Sequence, residues 1–326
     1  MIKVAINGFG RIGRAFYKLS TGNKELEVVA VNDLGDFDNL EYLLKHDSVY
    51  GSWDGNFKAK FISEKDPSKL PWKDLDIDIV VEASGAFESY EKASAHITAG
   101  AKRVVITAPA KDEDRADAKT VLMGVNEDDL KSCSMTSNGS CTTNSASPLI
   151  EVLNEKLGVK KAFLNTAHGY TATQSLTDSP TKGSDFRRGR AAAINIVPST
   201  TGAAIAVGRA VHELLGKFDG VAMRVPVSTG SLSSIVFVAG RNTTPEEINA
   251  ILEDAAKTDR WKGILTTTRD QLVSTDIIGN PHAAIADLTL THVTDGDLCA
   301  VYSWYDNEMG YTHTLLNHVT KLGKTL

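Results

Sequence analysis

The first third of the chain is made of short apolar blocks separated by stretches with helical spacing. Ile2-Lys3-Val4-Ala5-Ile6 is long enough for one buried strand. Ile12, Ala15, Phe16 and Leu19 then recur at three- and four-residue intervals, the spacing of a helix with one apolar face. Glu27-Val28-Val29-Ala30-Val31 reads as a second strand. Further strands are predicted at 77–82 and 103–107, and short ones at 121–123 and 134–136, with helical patterns at 40–44 and 90–99. Strands alternating with helices predict a parallel, doubly wound sheet, because a parallel neighbour is reached only through a crossover.

The pattern changes near residue 141. Pro148, Leu149, Ile150, Val152, Leu153 and Leu157 predict an amphipathic helix, with Thr142, Thr143 or Asn144 available to cap it. A strand follows at 162–168. Residues 169–198 are then rich in Thr, Ser, Gly and Arg, with little periodicity outside 190–194, and a loop this long in a compact domain tends to be functional. Strands at 221–225 and 235–238 and a helix at 245–258 predict a second, α+β domain with a mainly antiparallel sheet. The final segment, with Leu315, Leu316, Val319 and Leu322, reads as a helix able to return to the first domain. The expected division is 1–140 with 307–326, and 141–306.

Composition narrows the function classes. A length of 326 residues suits two domains with full cores, and 42% hydrophobic and 23% charged residues describe an ordinary globular chain. A net charge of −6 gives no basic excess, so nucleic acid is not expected as the main partner. The apolar runs are too short for a membrane-spanning helix, and residues 1–7 form a strand pattern without signal-peptide architecture. Three cysteines, none in a C-x-x-C pair, predict neither a disulfide framework nor a metal site. These features together predict a cytoplasmic enzyme.

The chemistry begins directly after the first strand. Gly8, Gly10 and Gly13 stand as G-x-G-x-x-G at the start of a helix pattern. Gly8 suits a tight turn, Gly10 the approach of a pyrophosphate, and Gly13 close packing of helix on strand. Asp33 ends the second strand twenty residues after Gly13, where a carboxylate receives the adenosine ribose hydroxyls of NAD and repels a 2′-phosphate. The unit predicts a Rossmann dinucleotide fold with NAD as cofactor. Ala83-Ser84-Gly85 and Thr107-Ala108-Pro109 end later strands, where Ser84 and Thr107 either line the crevice or simply form turns.

Ser137-Asn138-Gly139-Ser140-Cys141-Thr142-Thr143-Asn144 sets one thiol among small polar residues ahead of a helix. At a helix N-terminus, free N–H groups and the macrodipole favour the thiolate, so Cys141 is the candidate nucleophile. His168 closes an apolar strand and opens a polar loop, which singles it out of eight histidines as the candidate base. Arg188, with Arg187 and Arg190 beside it, and Arg224 are candidates for an anionic substrate. Ser140, Thr142, Thr171, Thr201 and Gly202 offer hydroxyls and N–H groups suited to phosphate. The alternative is a solvated pair for Arg187-Arg188 and, for Arg224, a charge met by a neighbouring carboxylate. Cofactor, thiol, imidazole and anion ligands together point to aldehyde oxidation through a thioester.

At this point the chain resembles the glyceraldehyde-3-phosphate dehydrogenase family, essentially end to end. The resemblance rests on Ile6-Asn7-Gly8-Phe9-Gly10-Arg11-Ile12-Gly13-Arg14, Val31-Asn32-Asp33, Ser140-Cys141-Thr142-Thr143-Asn144 and His168-Gly169-Tyr170-Thr171. It continues through Arg188-Gly189-Arg190, Ser199-Thr200-Thr201-Gly202-Ala203-Ala204, Arg224-Val225-Pro226 and Trp304-Tyr305-Asp306-Asn307. It implies Cys141 as nucleophile and His168 as base, acting on glyceraldehyde 3-phosphate, with inorganic phosphate cleaving the thioester to 1,3-bisphosphoglycerate. It implies two anion pockets from Ser140, Thr142, Thr171, Arg188, Thr201, Gly202 and Arg224. Arg11, Ile12, Asp33, Lys65, Thr107 and Asn307 match cofactor positions, Asn307 toward the carboxamide. A homotetramer is implied, with the segment 169–198 packed between subunits.

Some positions depart from the commonest pattern. Ile205 stands where a lysine is usual, Ser228-Thr229-Gly230 replaces a Pro-Asn-Val type of segment, and the loop around Ser179-Pro180-Thr181-Lys182-Gly183-Ser184-Asp185 reads as slightly long. Ser179 lies near where a 2′-phosphate would sit. The rival enzyme reading, erythrose-4-phosphate dehydrogenase, hands its thioester to water; retention of Thr201, Gly202 and Arg224 favours the phosphorylating reaction. A non-catalytic Rossmann binding protein is the alternative from another class, and the complete Cys/His pair counts against it.

Overall fold

The computed structural model describes residues 1–181 and 184–326 and divides into two units, Met1–Ser140 with Thr312–Leu326, and Cys141–Tyr311. In the first, β1 (Ile2–Asn7), α1 (Arg11–Ser20) and β2 (Leu26–Asn32) are followed by α2 (Phe37–Lys45), a small hairpin of β3 (His46–Asp47) and β4 (Gly51–Ser52), and β5 (Lys60–Ile62). Then come β6 (Ile79–Glu82), α3 (Tyr90–Thr98), β7 (Arg103–Ile106), β8 (Ala118–Thr120) and β9 (Met135–Ser137). Seven strands form one parallel sheet in the order β5-β2-β1-β6-β7-β9-β8.

The chain leaves β1 toward one edge and returns beside it as β6. Loops at the carboxyl ends of these two strands therefore diverge and open a crevice, the place where doubly wound sheets take ligands. The strands are apolar on both faces, with Val4, Ile6, Val80, Val81, Val104 and Val105 fully buried, because helices cover both sides. Residues 121–123 are not a strand, although Val121 and Leu122 are fully buried; pairing runs instead through β8, three residues earlier.

The second unit opens with α4 (Cys141–Leu157), β10 (Val159–Gly169), β11 (Val197–Thr200) and α5 (Ala203–Ala210). It continues with β12 (Phe218–Val225), β13 (Ser231–Ala239), α6 (Pro245–Ala256), β14 (Leu265–Thr268), β15 (Ala284–Asp287), β16 (His292–Thr294) and β17 (Leu298–Tyr305). The last helix, α7 (Met309–Gly323), starts in this unit and ends in the first. The eight-stranded sheet has the order β11-β12-β10-β13-β17-β15-β14, with β16 beside β17. Only β10–β12 and β14–β15 are parallel, so the sheet is mixed and mostly antiparallel. Among its described residues, the long segment after β10 holds two short 3-10 turns, Phe186–Gly189 and Ala192–Ile194; Lys182 and Gly183 lie outside the described residues.

Candidate active site

In the first unit the glycine loop has the shape its sequence demands. Gly8 has φ +99°, and a Cβ there would stand 2.4 Å from the Ser84 nitrogen. A Cβ on Gly13 would stand 2.2 Å from the Gly8 carbonyl oxygen, so α1 can lie this close to β1 only without a side chain. Gly10, the N-cap of α1, has nothing within 4 Å of its Cβ position, which leaves open space over the N-terminus of the helix. A cavity of about 440 Å³ lies here, lined by Gly8, Gly10, Asn32, Asp33, Lys65 and Ser84 among others.

Asp33 is fixed at the rim of this cavity. Its carboxylate accepts from the Phe9 N–H at 2.6 Å and the Gly35 N–H at 2.7 Å, which ties the second strand end to the glycine loop and leaves lone pairs facing the cavity. Beneath the crevice lies a polar network that sequence reasoning missed. Asn32 Nδ2 donates to Asn7 Oδ1 at 2.7 Å, Asn7 Nδ2 donates to Glu82 Oε2 at 2.6 Å, and His96 Nε2 lies 2.9 Å from the same oxygen. Trp72 Nε1 can only donate, and it sits 3.0 Å from His96 Nδ1. The His96 proton therefore sits on Nε2, pointing at Glu82. Only the strand-end position of Asn7, Asn32 and Glu82 signals this network in the sequence.

In the second unit α4 starts at Cys141 itself. Thr142, Thr143 and Asn144 are buried inside its first turn and do not cap it. The turn is pinned by hydroxyls instead. The Tyr305 hydroxyl on β17 sits 2.9 Å from Thr142 Oγ1 and 2.7 Å from Thr166 Oγ1 on β10, and Ser145 donates to Ser303 at 2.9 Å. Burial pushes the Tyr305 phenol up to about 12, so it stays a neutral hydrogen-bonding post. Its ring meets the His168 ring edge-on at 5.9 Å.

These supports fix the candidate nucleophile and the candidate base. Cys141 Sγ lies 3.2 Å from His168 Nε2, although the two are 27 residues apart in the chain. His168 is buried, and burial together with the Arg224 charge holds its imidazole down to about 3. The helix N-terminus was expected to lower the thiol of Cys141. Burial is the larger effect and pushes it up, against Arg224 and hydrogen bonds from Thr142 and the local backbone, which act downward. Arg224 is itself mostly buried, and among the described residues no carboxylate pairs with it. The alternative of an internally neutralised arginine is thereby removed.

Residues 2–90 match the domain family described as glyceraldehyde 3-phosphate dehydrogenase, NAD binding domain, and residues 140–307 match its C-terminal domain. The glyceraldehyde-3-phosphate dehydrogenase of Clostridium pasteurianum is 44% identical over 343 residues, covering 99% of this chain and 100% of that protein. Those of Streptomyces coelicolor and Mycobacterium tuberculosis are each 44% identical, covering 100% of this chain and 99% of theirs. The chain belongs to the glyceraldehyde-3-phosphate dehydrogenase family.

Within that family, the other expected site residues are placed as follows. Arg188 donates to Ser199 at 2.7 Å and lies 3.4 Å from Thr173, whose hydroxyl meets Thr171 at 3.0 Å, so Arg188, Thr171 and Thr173 form one polar cluster. Arg188 is also close enough to Arg224 for the two charges to repel. Thr201 Oγ1 accepts from the Ala203 N–H at 3.2 Å, and exposed Gly202 is the N-cap of α5, next to Ile205, which is 52% exposed. Ser140 directly precedes α4 and is half-buried. The Thr142 hydroxyl is committed to Tyr305 and Cys141.

Among the expected cofactor positions, Arg11 opens α1 and pairs with Asp47 at 3.2 Å, and half-buried Ile12 follows it. Thr107 donates to the Glu82 carbonyl at 3.0 Å and is not among the cavity lining. Asn307 Oδ1 accepts from Thr229 Oγ1, the Gly230 N–H and Ser231 Oγ at 3.0–3.1 Å, which leaves its amide NH₂ as the free end. The departing Ser228-Thr229-Gly230 segment is therefore what orients Asn307.

Proposed function

We propose that this protein oxidises glyceraldehyde 3-phosphate with NAD and inorganic phosphate to 1,3-bisphosphoglycerate. The observation that carries the reading is the 3.2 Å contact of Cys141 Sγ with His168 Nε2 at the start of α4. The first unit fits the cofactor through open Gly10, close-packed Gly8 and Gly13, Asp33 and Lys65 at the cavity rim, and Arg11, Ile12 and Thr107 near it. Asn307 offers its amide NH₂ to the carboxamide.

Cys141 attacks the aldehyde carbon as the thiolate, forming the C–S bond of a hemithioacetal. His168 accepts the proton of the new hydroxyl, and NAD supplies the acceptor for the hydride that leaves the same carbon. The result is a thioester on Cys141. Inorganic phosphate then attacks the thioester carbonyl, the C–S bond breaks, and His168 returns a proton to the sulfur. Arg224, Arg188, Thr171, Thr201, Gly202, Ser140 and the Thr142 backbone supply the positive and N–H character for the substrate phosphate and for the attacking phosphate. A half-buried guanidinium with no internal carboxylate among the described residues supports an anion as its partner.

The working form is a homotetramer in the cytoplasm. Large apolar side chains left exposed in the segment after β10, Leu176, Phe186, Ile194 and Ile196, support assembly through that segment. No helix among the described residues is long and apolar enough to cross a membrane. The decisive assay follows NADH formation with glyceraldehyde 3-phosphate and with erythrose 4-phosphate, each with and without inorganic phosphate. Phosphate-dependent turnover of the first aldehyde, absent in Cys141→Ser, is the expected result. Turnover of the second that ignores phosphate would instead assign the erythrose enzyme.

A further inference from the structure

Below the crevice of the first unit sits a carboxylate with no cation to answer it. Glu82 ends β6 and is 2% exposed, and its neighbour His96 is fully buried. The proton positions around it follow from groups that can only donate. The Glu64 N–H fixes Asn32 Oδ1 as its acceptor at 2.9 Å. That turns the Asn32 NH₂ to Asn7 Oδ1, and the Asn7 NH₂ to Glu82 Oε2. On the other side Trp72 Nε1 donates to His96 Nδ1, so the imidazole is neutral and its Nε2–H points at the same oxygen. The Ser84 N–H reaches Oε1 at 2.8 Å and the Ser84 hydroxyl reaches it at 2.5 Å, a length typical of O–H donating to a charged oxygen. Three N–H donors and one hydroxyl converge on two oxygens, the surroundings of an ionised carboxylate. Among the described residues no lysine or arginine pairs with it.

That charge lies one hydrogen bond beneath the cofactor cavity. Ser84, which touches Glu82 twice, lines the cavity together with Ala83, Ala86 and Phe87. The Ser84 hydroxyl spends its proton on Glu82 and so turns no donor to the cavity. In the sheet, β6 lies on the opposite side of β1 from β2, whose end carries Asp33. A dinucleotide with its adenosine at β2 and its pyrophosphate at the glycine loop places its other half at β6. In NAD that half carries a cationic nicotinamide ring, and in NADH the ring is neutral. The alanine and phenylalanine side chains around Ser84 screen poorly, so a charge beneath them is felt in the cavity.

We propose that Glu82 sets the redox preference of the cofactor site, its buried charge favouring the cationic ring of NAD over the neutral ring of NADH. The proposal rests on the reading of this cavity as the NAD site given above. The charged residues that line the cavity are Asp33 at the end of β2 and Glu64 and Lys65 just after β5, the strand beside β2. They stand on the adenosine side, where the two forms of the cofactor are identical, and act on both alike. Glu82 is on the side where the forms differ. Its attraction ends when the ring loses its charge, which promotes release of the reduced cofactor after hydride transfer.

The test is a set of dissociation constants for NAD, NADH and ADP-ribose, measured by titration calorimetry without aldehyde. The parent is the full chain carrying Cys141→Ser, which lacks the thiol as a second source of negative charge. This parent should bind NAD more tightly than NADH. Glu82→Gln in the parent keeps the shape of the side chain and removes its charge. Any damage to the crevice should weaken NADH and the ring-free ADP-ribose by one common factor, and NAD should lose at least threefold more than that factor. An equal loss for NAD and NADH makes Glu82 a structural tie alone and overturns the proposal. A parent that binds NADH as tightly as NAD, or more tightly, overturns it without need of the variant. A parent that binds none of the three ligands rejects the NAD reading and this proposal with it, whereas normal binding with an unmoved NAD-to-NADH ratio rejects this proposal alone.

Discussion

At the scale of single residues, electrostatics makes two predictions, one for cofactor choice and one for the response to acid. Asp33 is held by two backbone N–H groups, at 2.6 and 2.7 Å, so its carboxylate cannot turn away from an incoming ribose. A hydrogen bond to a charged group contributes roughly 1.5–3 kcal/mol, so Asp33→Ala should weaken NAD binding by about tenfold or more and narrow the preference over NADP. Dissociation constants for both cofactors, unchanged by the substitution, would show that Asp33 does not read the ribose. His318 makes a different point. It is fully buried, its Nδ1 faces Asn138 Oδ1 at 3.1 Å and its Nε2 faces Thr136 Oγ1 at 2.7 Å, and burial holds it down to about 3. The unfolded imidazole, near 6.5, binds a proton in the window between these values while the folded one does not. Stability is therefore lost as pH falls through that window, with a slope of about 1.4 kcal/mol per pH unit for this histidine. His318→Leu should flatten the pH dependence of urea unfolding between pH 4 and 6 by about that amount, whatever its offset in stability. Parallel slopes for the two proteins would contradict the buried-neutral account.

Between elements, the decisive structure is the set of ties that holds strand ends in place. Glu82 at the end of β6 receives four donors: Asn7 Nδ2, His96 Nε2, and both the N–H and the hydroxyl of Ser84. This joins β1, β6 and α3 directly below the crevice, and Asn32 extends the tie to β2. Glu82→Gln keeps the shape but turns one oxygen into an NH₂ facing donors, at a cost of about 1–3 kcal/mol. It should lower the melting temperature and raise the NAD dissociation constant together. Wild-type values for both would show that the four donors do not hold the crevice. The same ties explain what could be read from the sequence. The parallel sheet, the glycine loop, the strand-end place of Asp33 and the juxtaposition of Cys141 with His168 were legible because period, spacing and residue chemistry agree there. The β14–β17 part of the second sheet was not. In β17 the inward positions are Cys299, Val301, Ser303 and Tyr305, and a buried serine breaks the apolar alternation. β5 is three residues long and has no period to read. Residues 121–123 read as a strand because burial alone produces an apolar run. Thr142, Thr143 and Asn144 read as caps because local chemistry favours caps, whereas contacts with β10 and β17 decide their place.

For the molecule as a whole, the distribution of exposed apolar side chains argues for assembly. Ile194 is 81% exposed, Leu176 80%, Phe186 78% and Ile196 68%, all within one segment of the second unit. Single exposed apolar residues are ordinary on any surface, but four large ones in one segment call for a cover. Burying each contributes roughly 1.5–3 kcal/mol, so even partial burial against a second copy outweighs the side-chain entropy lost. A tetramer also repeats each contact through symmetry, which multiplies the effect of one substitution. On the proposed homotetramer, light scattering on the purified protein should give the mass of four 35.0 kDa chains at micromolar concentration. Phe186→Glu with Ile194→Glu places charges where apolar contact is needed and should shift the mass to dimers or monomers. Because the Cys141–His168 pair lies on other elements of the same unit, the dissociated variant should still be alkylated at Cys141. A wild-type monomer, or a double variant that remains four chains at low concentration, would mean that these side chains serve something other than self-assembly.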